Sequence, residues 1–146
     1  MYSELQERFE GLSISARLLL YEPLHPEAVW KSHGREVCNN SKKGKAEYRN
    51  RREFLYEVYD RKCCLCGLGL SIDHLSLDHK DGRGLGGGRR NDNLSTTLPV
   101  HLMCNGRKGS RRIVDGEVCI TCGHGFIVGG KTQRECFRCN SIWEKQ

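Results

Sequence analysis

Leu5, Phe9 and Leu12 recur at helical spacing near the start of the chain and predict a helix within residues 1–20. Pro23 and Pro26 interrupt the next stretch, and residues 32–44 show no apolar period and read as loop. A second helix is expected over residues 46–61, where Phe54, Leu55, Val58 and Tyr59 form an apolar stripe beside basic residues. Then come a Cys63-x2-Cys66 turn, a short strand over residues 75–78, a glycine-rich loop over residues 82–88 and a short helix over residues 101–111. Beyond residue 112 two further cysteine pairs flank Phe126-Ile127-Val128 and residues 131–135, which read as hairpin strands joined at Gly129-Gly130. The pattern predicts an α+β chain in three parts. These are an N-terminal helical and loop region (1–44), a small central unit (45–112) and a cysteine-bearing module (113–146).

Composition changes that picture in one respect. Only 37% of the 146 residues are apolar and 17 are glycine, so burial alone is a weak source of stability. The nine cysteines are the candidate remedy. The acidic, amphipathic start carries no signal-peptide pattern and no apolar run has membrane-spanning length, so a reducing compartment is expected. There, cysteines at ligand spacing mean zinc rather than disulfides.

Cys63-x2-Cys66 puts two thiolates on one tight turn, and His101-x2-Cys104, after 34 intervening residues, supplies two more ligands. Together they would close residues 67–100 into a loop around one structural zinc, with the binding energy forming part of the folding energy. Cys119-x2-Cys122 and Cys136-x2-Cys139 are spaced for a second structural zinc in a ribbon. Cys38 and Cys64 have no partner at metal spacing and read as ordinary small side chains; His25, His33 and His124 read as surface residues, and Tyr21, Trp30 and Trp143 as packing.

The residues between the first four ligands carry candidate chemistry. Leu77-Asp78-His79 ends the expected strand, and Asn105 comes directly after the last ligand. A hard divalent ion such as magnesium takes oxygen ligands and keeps several waters, so one carboxylate and one amide carbonyl can hold it. A neutral histidine beside it can accept a proton from water. Asp73-His74 is a competing pair, read instead as a surface turn. The net charge of +6 is moderate, but it gathers in patches. One is Lys42, Lys43, Lys45, Arg49, Arg51 and Arg52, a second Arg83, Arg89 and Arg90, a third Arg107, Lys108, Arg111 and Arg112. Three patches around one ligand cluster point to phosphate binding. In the C-terminal module Lys131, Arg134 and Arg138 fit either DNA contact or a stabilising cap.

The order Cys63-x2-Cys66, Asp78-His79, Gly86-Gly87, Asn93-Leu94 and His101-x2-Cys104-Asn105-x2-Lys108-Gly109 resembles the HNH nuclease family, whose core is the ββα-metal (His-Me finger) fold. The resemblance covers residues 50–112, and the asparagine placed directly after the last zinc ligand is similar to the phage recombination endonuclease VII group within that family. Two departures stand out. Asn105 occupies the position where many members have histidine, an HNN-type variant that favours magnesium or manganese. His101 stands where zinc-bearing members often have cysteine, and zinc accepts either.

The resemblance implies a metal-dependent DNA endonuclease that hydrolyses phosphodiester bonds, by nicking or double-strand cleavage, and leaves 5′-phosphates. Asp78 and Asn105 would bind catalytic Mg2+ (or Mn2+), His79 would be the general base, and Asn93 would brace the loop and orient His79. Arg89, Arg90, Arg107, Lys108 and Arg111 would hold backbone phosphates. The partner would be DNA and not a membrane, in the cytoplasm of a bacterium or phage-infected host, and a double-strand break would need a homodimer or two successive nicks. The competing expectation is a non-catalytic zinc-finger module that binds nucleic acid.

Overall fold

Residues Leu75–His79 (β1) and Thr97–His101 (β2) pair antiparallel in the register Leu75↔His101, Leu77↔Pro99 and His79↔Thr97. The chain leaves β2 directly into the helix Leu102–Lys108 (α1), which packs across both strands. These elements belong to a computed structural model that describes residues 2–24, 42–80, 94–114 and 116–145. It is a small α+β protein, and among the described residues no helix is long and apolar enough to cross a membrane.

Residues 2–24 pack on Lys42–Val58 (α2), the longest helix among the described residues. Phe54, Leu55 and Val58 on α2 are buried, and the Phe54 ring meets Phe9 edge-on at 5.8 Å and Tyr21 at 5.1 Å. Polar ties complete the seam. Buried Glu57 accepts from Gln6 Nε2 at 2.7 Å and Arg61 Nε at 2.8 Å, while Arg17 Nη1 donates to the carbonyl of Val58 at 2.7 Å. Arg17 thereby satisfies one of the carbonyls left open at the helix end. On the other side, Arg52 Nη2 donates to the carbonyls of Ile72 and Leu75, and Tyr56 Oη to that of Leu70 at 2.6 Å. Arg52 of the expected phosphate-binding patch therefore braces the approach to β1.

The helix expected across residues 1–20 is broken. Helices Tyr2–Phe9 and Ile14–Leu18 are separated at Gly11, which has φ of 76°, and Ser13 caps the second by accepting from the amide of Ala16 at 3.2 Å. A left-handed glycine followed by a capping serine is a stop-and-restart signal that the apolar spacing hid. Leu12, expected on the buried stripe, is accordingly exposed. The second helix begins at Lys42 rather than 46, inside the expected loop, and ends at Val58, with Asp60 and Arg61 in left-handed backbone. The glycine-rich loop 82–88, and most of the expected loop 32–44, lie outside the described residues, as do His25, Trp30, His33 and Cys38.

The C-terminal module is a four-stranded antiparallel sheet of Arg112–Ile113 (β3), Val128–Gly129 (β4), Gln133–Glu135 (β5) and Ile142–Glu144 (β6). Its hairpin turns one residue later than expected. Gly129 is a strand residue paired with Arg134, and residues 130–132 make the turn. The module shares a core with the central unit, in which Ile113, Val128 and Phe137 pack with Leu65, Leu98 and Val100. The amide of Ile113 donates to the carbonyl of Lys80 at 2.7 Å, which links β3 to the end of β1. Arg134, a candidate DNA contact, is buried, with Nε on Glu117 Oε2 at 2.8 Å and Nη1 on the carbonyls of Gly130 and Gln133. It staples the hairpin instead.

Gly129 is required by close approach: a Cβ there would lie 2.5 Å from Val114 Cγ2 and 3.0 Å from Arg134 Nη1. Gly129→Ala is expected to lower unfolding stability by about 1–3 kcal/mol through overpacking. Gly130→Ala, with nothing within 4 Å of the added atom, should change it by no more than about 0.5 kcal/mol. Chemical denaturation of the two zinc-loaded variants checks both.

Candidate functional site

Three of the four ligand pairs are built the same way. In each, the amide of the first cysteine donates to the carbonyl five residues on: Cys63 to Leu68, Cys119 to His124 and Cys136 to Ser141, all at 2.9 Å. The residue after the second cysteine returns its amide to the first: Gly67 to Cys63, Gly123 to Cys119 and Asn140 to Cys136. That residue is left-handed each time, with φ of 76°, 78° and 64°. Glycine and asparagine are the residues that adopt this backbone at least cost. The sequence signature of the turn is thus C-x2-C followed by Gly or Asn.

The fourth pair differs because it spans a junction. His101 is the last residue of β2 and the residue preceding α1, and Cys104 lies in the first turn of that helix. The expected helix over residues 101–111 therefore starts one residue later and stops at Lys108, where Gly109 has φ of 60°. The result still brings Cys63, Cys66, His101 and Cys104 together, with ligand atoms within 4.8 Å of one another. Cys66 Sγ is 3.3 Å and Cys104 Sγ 3.9 Å from His101 Nδ1. His101 Nε2 lies 3.1 Å from the carbonyl of Gly69, which fixes that nitrogen as the donor and turns the Nδ1 lone pair toward the sulfurs. Cys119, Cys122, Cys136 and Cys139 form the second group, with sulfur pairs at 3.5 and 3.6 Å. These separations are far longer than a disulfide of about 2.05 Å. They match the edges of about 3.8 Å of a tetrahedron with zinc about 2.3 Å from each sulfur.

The thiols of the two groups are held differently from a free cysteine. Burial and the neighbouring thiols Cys63 and Cys66 push Cys104 up to about 12, and burial pushes Cys136 up to about 12. Cys119 is also pushed up by burial. The amides of Cys122 and Thr121, at 3.4 and 3.3 Å from its sulfur, more than offset this and bring it down to about 6. Both groups could therefore hold structural zinc, one through three thiolates and an imidazole, the other through four thiolates. Cys64, buried beside the first group, is held up chiefly by burial and takes no part in it.

The first group lies where β2 passes into α1, the helix that packs on β1. Ser76 and Asp78 share one face of β1, and Asn105 and Lys108 lie one helical turn apart on α1. Asn105 Nδ2 donates to Ser76 Oγ at 2.8 Å. Lys108 Nζ lies 3.4 Å from Asp78 Oδ1, 3.2 Å from Asp78 Oδ2 and 3.2 Å from the carbonyl oxygen of His79. Asp78 is buried, and its Oδ2 is in ion-pair range of Lys108 but makes no hydrogen bond. Burial raises the Asp78 carboxyl above its ordinary value against the opposing pull of Lys108. His79, the last residue of β1, is half-buried, and its ring and backbone amide join Lys108 in lowering the Asp78 carboxyl against burial.

The expected phosphate contacts fare differently. Lys108 is buried on Asp78 and is not at the surface. Arg107 and Arg111 both bind Glu135 on β5, Arg111 Nη1 at 2.7 Å from Glu135 Oε1, and Arg107 stacks on the Phe137 ring at 4.0 Å. Glu135, which burial raises, is nonetheless lowered by these two guanidiniums. Nothing local in the sequence pairs residues 24 and 28 apart. Asn93, Arg89 and Arg90 lie outside the described residues. His74 ends an exposed 3-10 turn, Ile72–His74, and His124, read as a surface residue, is half-buried with Nε2 2.7 Å from the carbonyl of Cys64. Compared with known protein families, with curated proteins and with solved structures, the chain matches none.

The protein should carry two zinc ions per chain by colorimetric release. Cys66→Ser and Cys139→Ser should each lose one, and full chelation should unfold the chain. Glu135→Gln should cost about 1 kcal/mol at neutral pH, less at high salt because both arginines are partly exposed. Denaturation at two ionic strengths checks that.

Proposed function

We propose that this protein is an HNH-type, metal-dependent DNA endonuclease with Asp78, His79 and Asn105 at its centre. The observation that carries the reading is the buried Asp78 carboxylate on a two-stranded sheet, faced by the helix that begins at the first ligand group. The strand, strand and helix order is what a ββα-metal core requires, and Asn105 directly succeeds the ligand Cys104.

The donor set suits a hard cation. Asp78 Oδ2 is buried without a hydrogen bond, and Asn105 spends its amide nitrogen on Ser76, leaving the carbonyl oxygen as the ligating atom. Asp78 and Asn105 would hold Mg2+ or Mn2+, which supplies positive charge to the scissile phosphate and the departing 3′ oxygen. His79 takes the proton from the attacking water, which is oriented in line with the P–O3′ bond. The bond to O3′ breaks as the bond from water to phosphorus forms, and O3′ takes a proton from solvent water, leaving a 5′-phosphate and a 3′-hydroxyl. Asn93 would brace His79. Exposed Arg49 and Arg112, with Arg89 and Arg90, are the candidate backbone contacts. Arg107 and Arg111 join them only in competition with Glu135.

One observation favours the second reading, a zinc-bearing module that binds nucleic acid without cutting it. The Lys108 ammonium already sits on Asp78, where the cation would bind. Supercoiled-plasmid cleavage separates the two readings. The nuclease nicks or linearises DNA only with Mg2+ or Mn2+, and His79→Ala slows it roughly 10²–10⁴-fold with zinc content unchanged. DNA binding without cutting, equal in both proteins across duplex, branched and single-stranded substrates, would leave the binding module.

A further inference from the structure

Lys108 is among the most deeply buried side chains described. Its side chain is 0% exposed and that of Asp78 7%. A buried ammonium requires a counter-charge, and a buried carboxylate requires a cation or a full set of donors. Each meets the other's need, and the third contact, Nζ to the His79 carbonyl, holds the end of β1 beside Asp78. The pair is neutral as it stands. A divalent cation added to Asp78 Oδ2 would stand a few ångströms from Nζ in a water-poor setting, where like charges repel strongly. The added +2 would have no balancing anion among the groups placed on Asp78, which are Lys108 and His79.

We propose that Lys108 is the resident counter-ion of this centre. It positions Asp78 and the backbone at His79 in the free protein, and it keeps divalent metal from binding tightly until a polyanionic strand lies across the site. The phosphodiester then provides the missing negative charge, so that metal and DNA bind cooperatively, each raising the affinity for the other by the same factor. This rests on the nuclease reading and adds to it an order of assembly: DNA first, or DNA with metal, and never a tightly metal-loaded free enzyme. Lys108 is a positioning residue here, acting through Asp78.

The probe is Mn2+, followed by electron paramagnetic resonance on zinc-loaded protein. The His79→Ala background keeps bound duplex uncut. Saturating duplex should tighten Mn2+ binding at least tenfold. Lys108→Met should tighten Mn2+ binding to the free protein by a similar factor and abolish most of the dependence on DNA, whereas Lys108→Arg should retain it. Mn2+ binding to the free protein as tight as to its DNA complex overturns the inference, as does Lys108→Met with zinc content and helicity intact but unchanged affinity. Should Lys108→Met lose its zinc, the comparison of the parent with and without duplex decides alone. Absence of bound Mn2+ in every state, with no plasmid cutting, overturns the nuclease reading itself, and the inference with it.

Discussion

His101 belongs to three structures at once. It closes the strand β2, it precedes the helix α1, and its Nδ1 faces the sulfurs of Cys66 and Cys104 while Nε2 is anchored on Gly69. Where strand and helix meet, a chain of this size would ordinarily rely on a large apolar interface to fix their angle. Here α1 buries little apolar surface, since Leu102 and Met103 are exposed and Lys108 is its buried residue, and a metal held by the first ligand group would supply the constraint instead. Once the angle is set, the helix has one way to lie on β1, and Asn105 and Lys108 fall one turn apart onto Ser76 and Asp78. A metal at the first ligand group would thus pass its geometry on to the candidate centre next to it in sequence.

The second ligand group extends the same logic. Its sheet begins at β3, which hangs from the end of β1 through Lys80, and its Glu135 grips Arg107 on the exposed side of α1 and Arg111 just beyond the helix end. The helix is thus joined to the first ligand group through Cys104, to the strand side through Asp78 and Ser76, and to the C-terminal sheet through Glu135. Charge that looks available for DNA is partly committed to this assembly. Arg17, Arg52, Arg107, Lys108, Arg111 and Arg134 all make internal contacts, so the 24 lysines and arginines overstate the cations free to meet phosphate.

What the sequence made legible was local. The cysteine pairs with their trailing glycine or asparagine, the strand ending at Asp78-His79 and the helix after His101 are encoded within a few residues, and their positions are legible to within a few residues. The Gly11-Leu12-Ser13 break is equally local but is masked by the apolar spacing of Leu5, Phe9 and Leu12. The burial of Lys108 on Asp78, of Arg134 on Glu117 and the Glu135 clamp were not legible. Each joins a charged residue to a partner 17 to 30 positions away, and a lysine or arginine reads as solvated until its partner is known.

The dependence of the centre on ligation can be observed directly by amide hydrogen exchange on the zinc-loaded chain and on the same chain stripped of zinc. With zinc, residues 75–79 and 102–108 should be protected together with the turns at residues 63–67. On removal all three segments should lose protection as one unit, as expected for a single cooperative element. Strand and helix that stay protected after the zinc has left would contradict the account, because the geometry of Asp78 and Asn105 would then rest on packing that needs no metal.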